Sequence, residues 1–238
     1  MDRRKFIKSC TVIGAMSTIN PGFFNQLFAQ ETNLVKKYNK ALLIKEDGTP
    51  LKEEDIKPYN YYLFFYPFVS TPCYLINLDK EVPPCDVKLS DGSIYKFKGG
   101  VGLKKNIVAY SAICSHQWSY PTKDYAFINY YSPEQKSQTT NRSNVIQCCA
   151  HLSVFDPSQG GIVLEGPAPL PLANIILTFE DGKFYAEGVL GKDQFEEFFD
   201  NYKSDLREQY GTTKKAKSLV ETATVMEVGK YVKEQIKC

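Results

Sequence analysis

Alternating apolar and polar positions, interrupted by frequent turn residues, predict that residues 61–190 are mostly β-structure. The longest candidate strands are the aromatic run 61–69 and the segments 73–78 and 106–111. Shorter candidates follow the same pattern, at 41–44, 87–89, 94–97, 126–131, 145–147, 162–164, 174–179 and 183–187. Short strands with many turns are typical of an antiparallel β-sandwich or barrel. We therefore predict an all-β fold.

The pattern changes after Gly191. Six apolar residues then recur at helical spacing with charged residues between them, namely Phe195, Phe198, Phe199, Tyr202, Leu206 and Tyr210. This spacing predicts an amphipathic helix that ends near Gly211, and a second helix is predicted over 222–236. The two helices form a predicted C-terminal extension. Their apolar face either covers the β-domain itself or docks a partner.

These changes in pattern divide the chain into four predicted parts: 1–29, 30–60, 61–190 and 191–238. The composition, with 43% hydrophobic and 24% charged residues, excludes a mainly disordered chain and a polytopic membrane protein. Aromatic residues make up 13%, which suits β-structure. The 29 basic and 27 acidic residues leave a net charge of only +2, so the charge gives no support for nucleic-acid binding.

The first 29 residues have the pattern of an export signal. Arg3 and Arg4 precede Phe-Ile-Lys, as in twin-arginine signals, and a weakly apolar run of about ten residues follows, shorter than the roughly 20 that span a bilayer. Ala29 offers a small residue for cleavage, so we expect the mature chain to start near Gln30. A retained membrane anchor and a basic, disordered N-terminus are the alternatives. We expect an exported, periplasmic protein.

The chain has only two histidines, and each has a cysteine close by. The first box contains Cys114 and His116, and the second contains Cys148, Cys149 and His151. A lone histidine is more often structural than a ligand. Here every histidine belongs to a matched cysteine–histidine pair, which is a strong signal for metal binding.

Two cysteine and two histidine ligands suit zinc or an iron–sulfur cluster. The order Cys-x-His in one loop and Cys-x-x-His in a second is that of a Rieske [2Fe–2S] centre, with two cysteines on one iron and two histidines on the other. Zinc fingers place a cysteine pair before a histidine pair, and zinc is our alternative. The spacing favours Cys148 over its neighbour Cys149 as the ligand.

The chain resembles Rieske proteins of cytochrome bc complexes and the small subunit of arsenite oxidase. The resemblance covers roughly residues 60–190 and is most specific in the two boxes and in the proline loop Gly166, Pro167, Ala168 and Pro169. It implies a small cluster-binding subdomain at about 112–170, with the proline loop covering the cluster. It also implies that Ser153 donates a hydrogen bond to a bridging sulfide.

The departures from that resemblance are informative. A disulfide joins the two cluster loops in those families, but the matching positions here are Ser119 and Ala150. The family's tyrosine that bonds a ligand sulfur is replaced by Phe155. Hydrogen bonds to cluster sulfurs stabilise the reduced state, so we expect a potential below that of bc-complex members. We place it in the middle of the roughly −150 to +300 mV Rieske range.

Beyond the N-terminal segment, three further cysteines have no predicted role. Cys73 and Cys85 lie 12 residues apart, and an exported protein allows them to form a disulfide, although two free buried thiols are an equal alternative. Cys238 is the last residue of the sequence, where a thiol is either inert or paired with a partner. We expect the inserted segment 119–147 to keep the cluster loops ordered, because the family's disulfide between those loops is missing.

The resemblance implies an electron-transfer subunit rather than a stand-alone catalyst. The redox partners it implies are a molybdenum-containing catalytic subunit, a quinol-oxidising complex or a c-type cytochrome. A Rieske oxygenase would need a separate iron held by two further histidines, and both histidines are already used. No Cys-x-x-Cys-His occurs, so the chain carries no haem attachment motif. A zinc-stapled or cluster-sensing structural protein is the alternative function.

Overall fold

Two larger, mostly antiparallel β-sheets and two small two-stranded sheets make up the β-structure of the computed structural model, which describes residues 34–238. The strands, in chain order, are β1 (Val35–Ile44), β2 (Tyr61–Phe65), β3 (Pro72–Asn77), β4 (Cys85–Lys88), β5 (Ile94–Phe97), β6 (Ile107–Ser111), β7 (Tyr125–Ala126), β8 (Ile128–Tyr131), β9 (Val145–Cys148), β10 (Ser153–Asp156), β11 (Ile162–Glu165), β12 (Asn174–Glu180), β13 (Lys183–Leu190), β14 (Thr222–Thr224), β15 (Met226–Glu227) and β16 (Glu234–Gln235). The predicted twin-arginine signal and its cleavage site near Gln30 lie outside the described residues.

The main sheet has the strand order β14-β1-β13-β12-β6-β3-β2-β15. Its two edge strands, β14 and β15, are separated in sequence by Val225 alone. The edges of the sheet must therefore come together, so the sheet curls into a nearly closed barrel. This arrangement confirms the predicted all-β fold.

Both faces of the main sheet are buried, and β3 shows why. Tyr74 and Ile76 point to one hydrophobic core, whereas Cys73 and Leu75 point to the other, because successive side chains of a strand face opposite sides. The first core lies against the second sheet, which has the order β11-β10-β9-β8. The second core is shared with the helices that follow residue 191.

Four short α-helices lie in the C-terminal part: α1 (Phe195–Asn201), α2 (Lys203–Tyr210), α3 (Thr213–Ala216) and α4 (Val228–Tyr231). The predicted amphipathic helix is thus present as α1 and α2, divided at Tyr202. Phe195, Phe198 and Phe199 are buried in the second core, so this face covers the β-domain itself, as one of the two interpretations predicted. No helix within residues 34–238 has the length and apolar character needed to cross a bilayer.

The predicted second helix over 222–236 is wrong. Ala223 and Val225 are buried while Thr222 is exposed and Thr224 half-buried, which is the two-residue period of a strand. β14 pairs in parallel with β1, and β15 pairs antiparallel with β2. Pairing with the edges of the main sheet therefore decides the conformation there, and within this segment only α4 is helical.

The predicted strands are found with small shifts. Residues 132–144 contain neither strand nor helix and form a loop. The candidate at 41–44 is the end of the longer β1, which pairs with β13 in the main sheet. Strand β10 was missed, because its apolar run consists of only two residues, Val154 and Phe155. The boundaries predicted at residues 60 and 190 stay predictions, although the segments on either side both add strands to the main sheet.

Candidate metal centre

The first box follows β6 and folds into a tight turn. The backbone N–H of Trp118 donates to the oxygen of Cys114 at 2.9 Å, and the N–H of Cys114 donates to the oxygen of Ser119 at 2.9 Å. Trp118 has a positive φ of 54°, which closes the turn. His116 therefore lies within a loop whose two ends are joined by backbone hydrogen bonds.

The second box connects β9 and β10. Cys148 is the last residue of β9 and lies opposite Ser153, the first residue of β10. The residues between them form the turn, and Leu152 adopts a positive φ of 60° there. The backbone N–H of Cys149 donates to the oxygen of Phe127 at 2.7 Å, which holds the turn against the inserted segment.

The structure brings Cys114 and Cys148 together as a buried pair. Their interaction lowers the pKa of the Cys148 thiol to about 7. The same interaction, together with burial, raises the pKa of the Cys114 thiol far above its usual range. The thiolate is the form of cysteine that binds metal.

Backbone N–H groups act on both sulfurs. Those of His116 and Gln117 favour the charged form of the Cys114 thiol, and those of Ala150 and His151 favour that of Cys148. Such donors stabilise negative charge on sulfur. The turns of the two boxes thus prepare both sulfurs to bind a cation.

His116 and His151 form a second pair. Their rings meet edge to face with centroids 4.7 Å apart. The Nδ1 atom of His116 is buried and has no hydrogen-bond partner among the described residues. A buried nitrogen without a partner is costly, and a metal ion bound to it would remove that cost. His151 is exposed, so the histidine pair lies nearer to solvent than the cysteine pair.

The donor set fits the cofactor that the resemblance implies. A Rieske cluster needs two cysteines for one iron and two histidines for the other, and the structure holds the four side chains in those pairs. Within residues 34–238, no three histidine, cysteine or acidic side chains are grouped as ligands of a single ion. The identity of the four ligands stays a prediction.

The proline loop is tied to both boxes, one serine from each. Ser115 donates from its hydroxyl to the backbone oxygen of Leu170 at 2.5 Å. The hydroxyl oxygen of Ser153 accepts from the backbone N–H of Ala168 at 3.2 Å, and both serines are buried. The role of Ser115 was missed by the sequence analysis, which considered the box residues only as ligands.

Gly166 lets the proline loop pack directly on the second box. Its φ is +93°, and a Cβ there would lie 2.6 Å from both the backbone oxygen of Leu152 and the Cα of Ser153. Only glycine avoids this clash at this backbone angle. Within the loop, Ala168 is buried and Pro167 is exposed. The backbone oxygen of Pro169 accepts a hydrogen bond from the Ser90 hydroxyl.

Two positions that depart from the family pattern, Ser119 and Phe155, differ in what they bring to the site. The Ser119 side chain helps to lower the pKa of the Cys148 thiol, an influence that the sequence did not predict. Phe155, in place of the family's tyrosine, is fully buried and brings no hydroxyl to the site.

The remaining cysteines are now placed. Cys73 and Cys85 are both free thiols, so the disulfide that the sequence left open between them is absent. Cys149 forms a disulfide with Cys238 instead. This pairing was missed, although neither Cys149 nor Cys238 had an assigned role in a chain with a predicted export signal. A sulfur in a disulfide is not a free thiolate, which supports Cys148 as the ligand.

Two curated relatives each match the chain over 93 residues. Iodate reductase subunit IdrB of Pseudomonas sp. (strain SCT) is 30% identical over 93 residues, which is 39% of this chain and 42% of the relative. Iodate reductase subunit IdrB of Denitromonas iodatirespirans is 29% identical over 93 residues, which is 39% of this chain and 43% of the relative. The match thus spans about two fifths of the length of these relatives. No family model matches the chain.

Two solved structures are also similar. The soluble domain of Rieske protein II (soxF) from Sulfolobus acidocaldarius is 25% identical, with a TM-score of 0.47 over 64% of this chain and 78% of that one. The complex of reduced oxygenase and oxidised ferredoxin in carbazole 1,9a-dioxygenase is 14% identical, with a TM-score of 0.33 over 60% of this chain and 94% of that one. By its ligand boxes, its proline loop and its curated relatives, the chain is a Rieske-type protein.

Proposed function

We propose that the protein is a one-electron carrier that works through a [2Fe–2S] cluster. Cys114 and Cys148 would bind one iron, and His116 and His151 would bind the other. When bound, the cluster supplies reversible one-electron oxidation and reduction. The rest of the chain holds the ligands, excludes water from the sulfur side and leaves the histidine side open.

The paired arrangement of the four side chains is the observation on which the proposal rests. The two buried cysteine thiols interact closely enough to shift each other's pKa, and the two histidine rings are 4.7 Å apart. Each histidine is only two or three residues from its cysteine, so the two pairs are neighbours. This is the ligand pattern of a two-iron cluster with unlike ends.

The exposure of the two pairs supports electron exchange at the histidine end. Cys114 and Cys148 are 1% and 0% exposed, whereas His151 is exposed and Leu152 beside it is 48% exposed. An open pocket next to His116 is lined partly by Tyr202 at the junction of α1 and α2. A redox partner can therefore approach the histidines more closely than the cysteines, which shortens the path of the electron.

A larger oxidoreductase is the proposed partner. The two curated relatives are described as subunits of iodate reductase, which supports a role as a subunit. The candidates are a molybdenum-containing catalytic subunit, a quinol-oxidising complex and a c-type cytochrome. We do not assign a substrate, because substrate chemistry would belong to that partner.

Export by the twin-arginine route is part of the proposal, and its basis is the sequence Arg3-Arg4 with the apolar run behind it. Replacing both arginines by lysine is expected to leave the protein in the cytoplasm. N-terminal sequencing of exported protein then separates cleavage near Gln30 from a retained membrane anchor. Unchanged export of the double-lysine variant would contradict this part of the proposal.

Metal analysis and a redox titration of the purified protein test the proposed cofactor. We expect about two irons per chain, no zinc and reversible uptake of one electron. Cys148→Ser and His116→Ala should each lose the iron, whereas Cys85→Ser, which removes a free thiol on β4, should keep it. One zinc per chain without redox activity would instead indicate a metal-stapled structural protein.

A further inference from the structure

A disulfide links the second box to the end of the sequence. Cys149, directly after the predicted ligand Cys148, is bonded to Cys238, with the two Cα atoms 5.7 Å apart. The bonded cysteines are separated by 89 positions. We call residues 232–238 the tail segment.

The tail segment contacts both neighbours of the ligand Cys148. On one side, the fully buried Gln147 donates from Nε2 to the sulfur of Cys238 at 3.0 Å. On the other side, Cys149 is bonded covalently to the same sulfur. The ligand therefore lies between two residues that are both held by Cys238.

Tyr131 on β8 contacts both cysteines of this disulfide. Its hydroxyl accepts from the backbone N–H of Cys238 at 2.7 Å and donates to the backbone oxygen of Cys238 at 2.9 Å. The same hydroxyl lies 3.4 Å from the sulfur of Cys149. Since Tyr131 is only 3% exposed, these contacts are shielded from water and fix the disulfide on the second sheet.

The rest of the tail segment runs along the inserted segment 119–147. β16 pairs in parallel with β7, and the backbone N–H of Ile236 donates to the oxygen of Ala126 at 2.9 Å. The buried Asn129 donates from Nδ2 to the backbone oxygen of Ile236 at 2.8 Å. The tail segment is therefore ordered by the same strands that support the second box.

We infer that the Cys149–Cys238 disulfide positions the second ligand loop, a task that falls in related proteins to a disulfide between the two ligand loops. The matching positions here, Ser119 and Ala150, cannot form that bond. The tail segment, rather than the first box, then supplies the covalent restraint on Cys148 and His151. This inference rests on the proposed function, because it takes the loop to be a cluster loop.

The test compares the unmodified protein with a Cys149→Ser/Cys238→Ser double variant. Peptide mass mapping of the unmodified protein should recover a cross-linked pair that contains both cysteines. Iron loss to a chelator is then followed at a temperature where circular dichroism shows both proteins folded. We expect iron loss about tenfold faster or more in the double variant, with a shifted potential and broadened EPR lines.

Two further variants control this comparison. Cys85→Ser removes a free thiol without breaking a disulfide and should behave like the unmodified protein. Tyr131→Phe keeps the disulfide but removes the hydroxyl contacts to Cys238, so it should give a smaller increase in the rate of iron loss. Tyr131→Phe also provides the test if the double variant does not fold.

Two results would overturn the inference. One is the recovery of free thiols at both positions in the unmodified protein. The other is an unchanged rate of iron loss, potential and EPR line shape in a folded double variant. Hydrogen exchange of residues 145–153 tests whether the disulfide restrains the loop, independently of iron binding. If the unmodified protein holds no iron, the proposed function fails, but faster exchange in the double variant would still support a positioned loop.

Discussion

The hydroxyl of Ser115 donates a 2.5 Å hydrogen bond to the backbone oxygen of Leu170, which ties the first box to the proline loop. Ser153, from the second box, accepts from the N–H of Ala168 in the same loop. The proline loop thus acts as a bridge between two boxes that no disulfide joins. Together, this bridge and the Cys149–Cys238 disulfide take the place of the disulfide that joins the two ligand loops in the families that the chain resembles.

Removing the Ser115 hydroxyl should loosen this bridge. Ser115 is buried, and Ser115→Ala leaves the oxygen of Leu170 without its donor. We expect the free energy of unfolding to fall by about 1 kcal/mol and iron loss to a chelator to become faster. Ser90→Ala is the matched control, because exposed Ser90 bonds the neighbouring oxygen of Pro169 but touches neither box. Equal effects of the two substitutions would contradict the bridge.

Ser153→Ala should lower the reduction potential. The resemblance implies that this hydroxyl donates to the cluster, and such a bond stabilises the reduced, more negative state. A bond that favours the reduced state by about 1.4 kcal/mol corresponds to about 60 mV for one electron, which is the decrease we expect. Voltammetry of the purified protein measures it. Ser70→Ala removes a buried serine hydroxyl bonded to the oxygen of Ala216 and should leave the potential unchanged.

Phe155→Tyr should raise the potential. The resemblance implies that a tyrosine here bonds a ligand sulfur, and Phe155 is fully buried in β10, so the added hydroxyl has no water as an alternative partner. We expect a rise of about 60 mV by the same conversion, measured by the same voltammetry. Phe155→Leu also alters the packing but adds no hydroxyl, and it should not raise the potential. An equal rise in both variants would show that packing, not the hydrogen bond, sets the value.

The helices after residue 191 should be necessary for stability rather than for docking a partner. Phe198 on α1 is fully buried, with its ring 4.9 Å from that of Tyr120 in the inserted segment. Phe198→Ala should therefore lower the free energy of unfolding by about 3–5 kcal/mol, measured by denaturant titration. Exposed Glu197→Ala on the same helix should have little effect. A Phe198→Ala protein of unchanged stability would reopen the docking interpretation.

The ligand boxes and the proline loop could be predicted because each is a local pattern of residue types. Each motif is recognisable from three or four consecutive residues, namely 114–116, 148–151 and 166–169. The disulfide could not be predicted in the same way. Its partners lie 89 positions apart, and only the path of the tail segment beside β7 brings them together. The segment 222–236 shows the same limit, since its conformation is set by the edges of the main sheet.

The two serine contacts illustrate a further limit. Ser153 was predicted from the resemblance, whereas Ser115 and Ser119 had no family role to suggest them. The bond to Leu170 and the influence on the Cys148 thiol depend on how the boxes fold against the rest of the domain. Sequence spacing alone gives the ligands but not the groups that hold them.

Pulsed EPR of the dithionite-reduced protein is the sharpest test of the proposed two-cysteine, two-histidine cluster, because it counts the nitrogen atoms coupled to the cluster. We expect a rhombic iron–sulfur signal with two coupled histidine nitrogens, from His116 and His151. We also expect that His151→Ala abolishes this signal. A protein that contains zinc and gives no signal, or an iron–sulfur signal without nitrogen coupling, would contradict the proposed cluster.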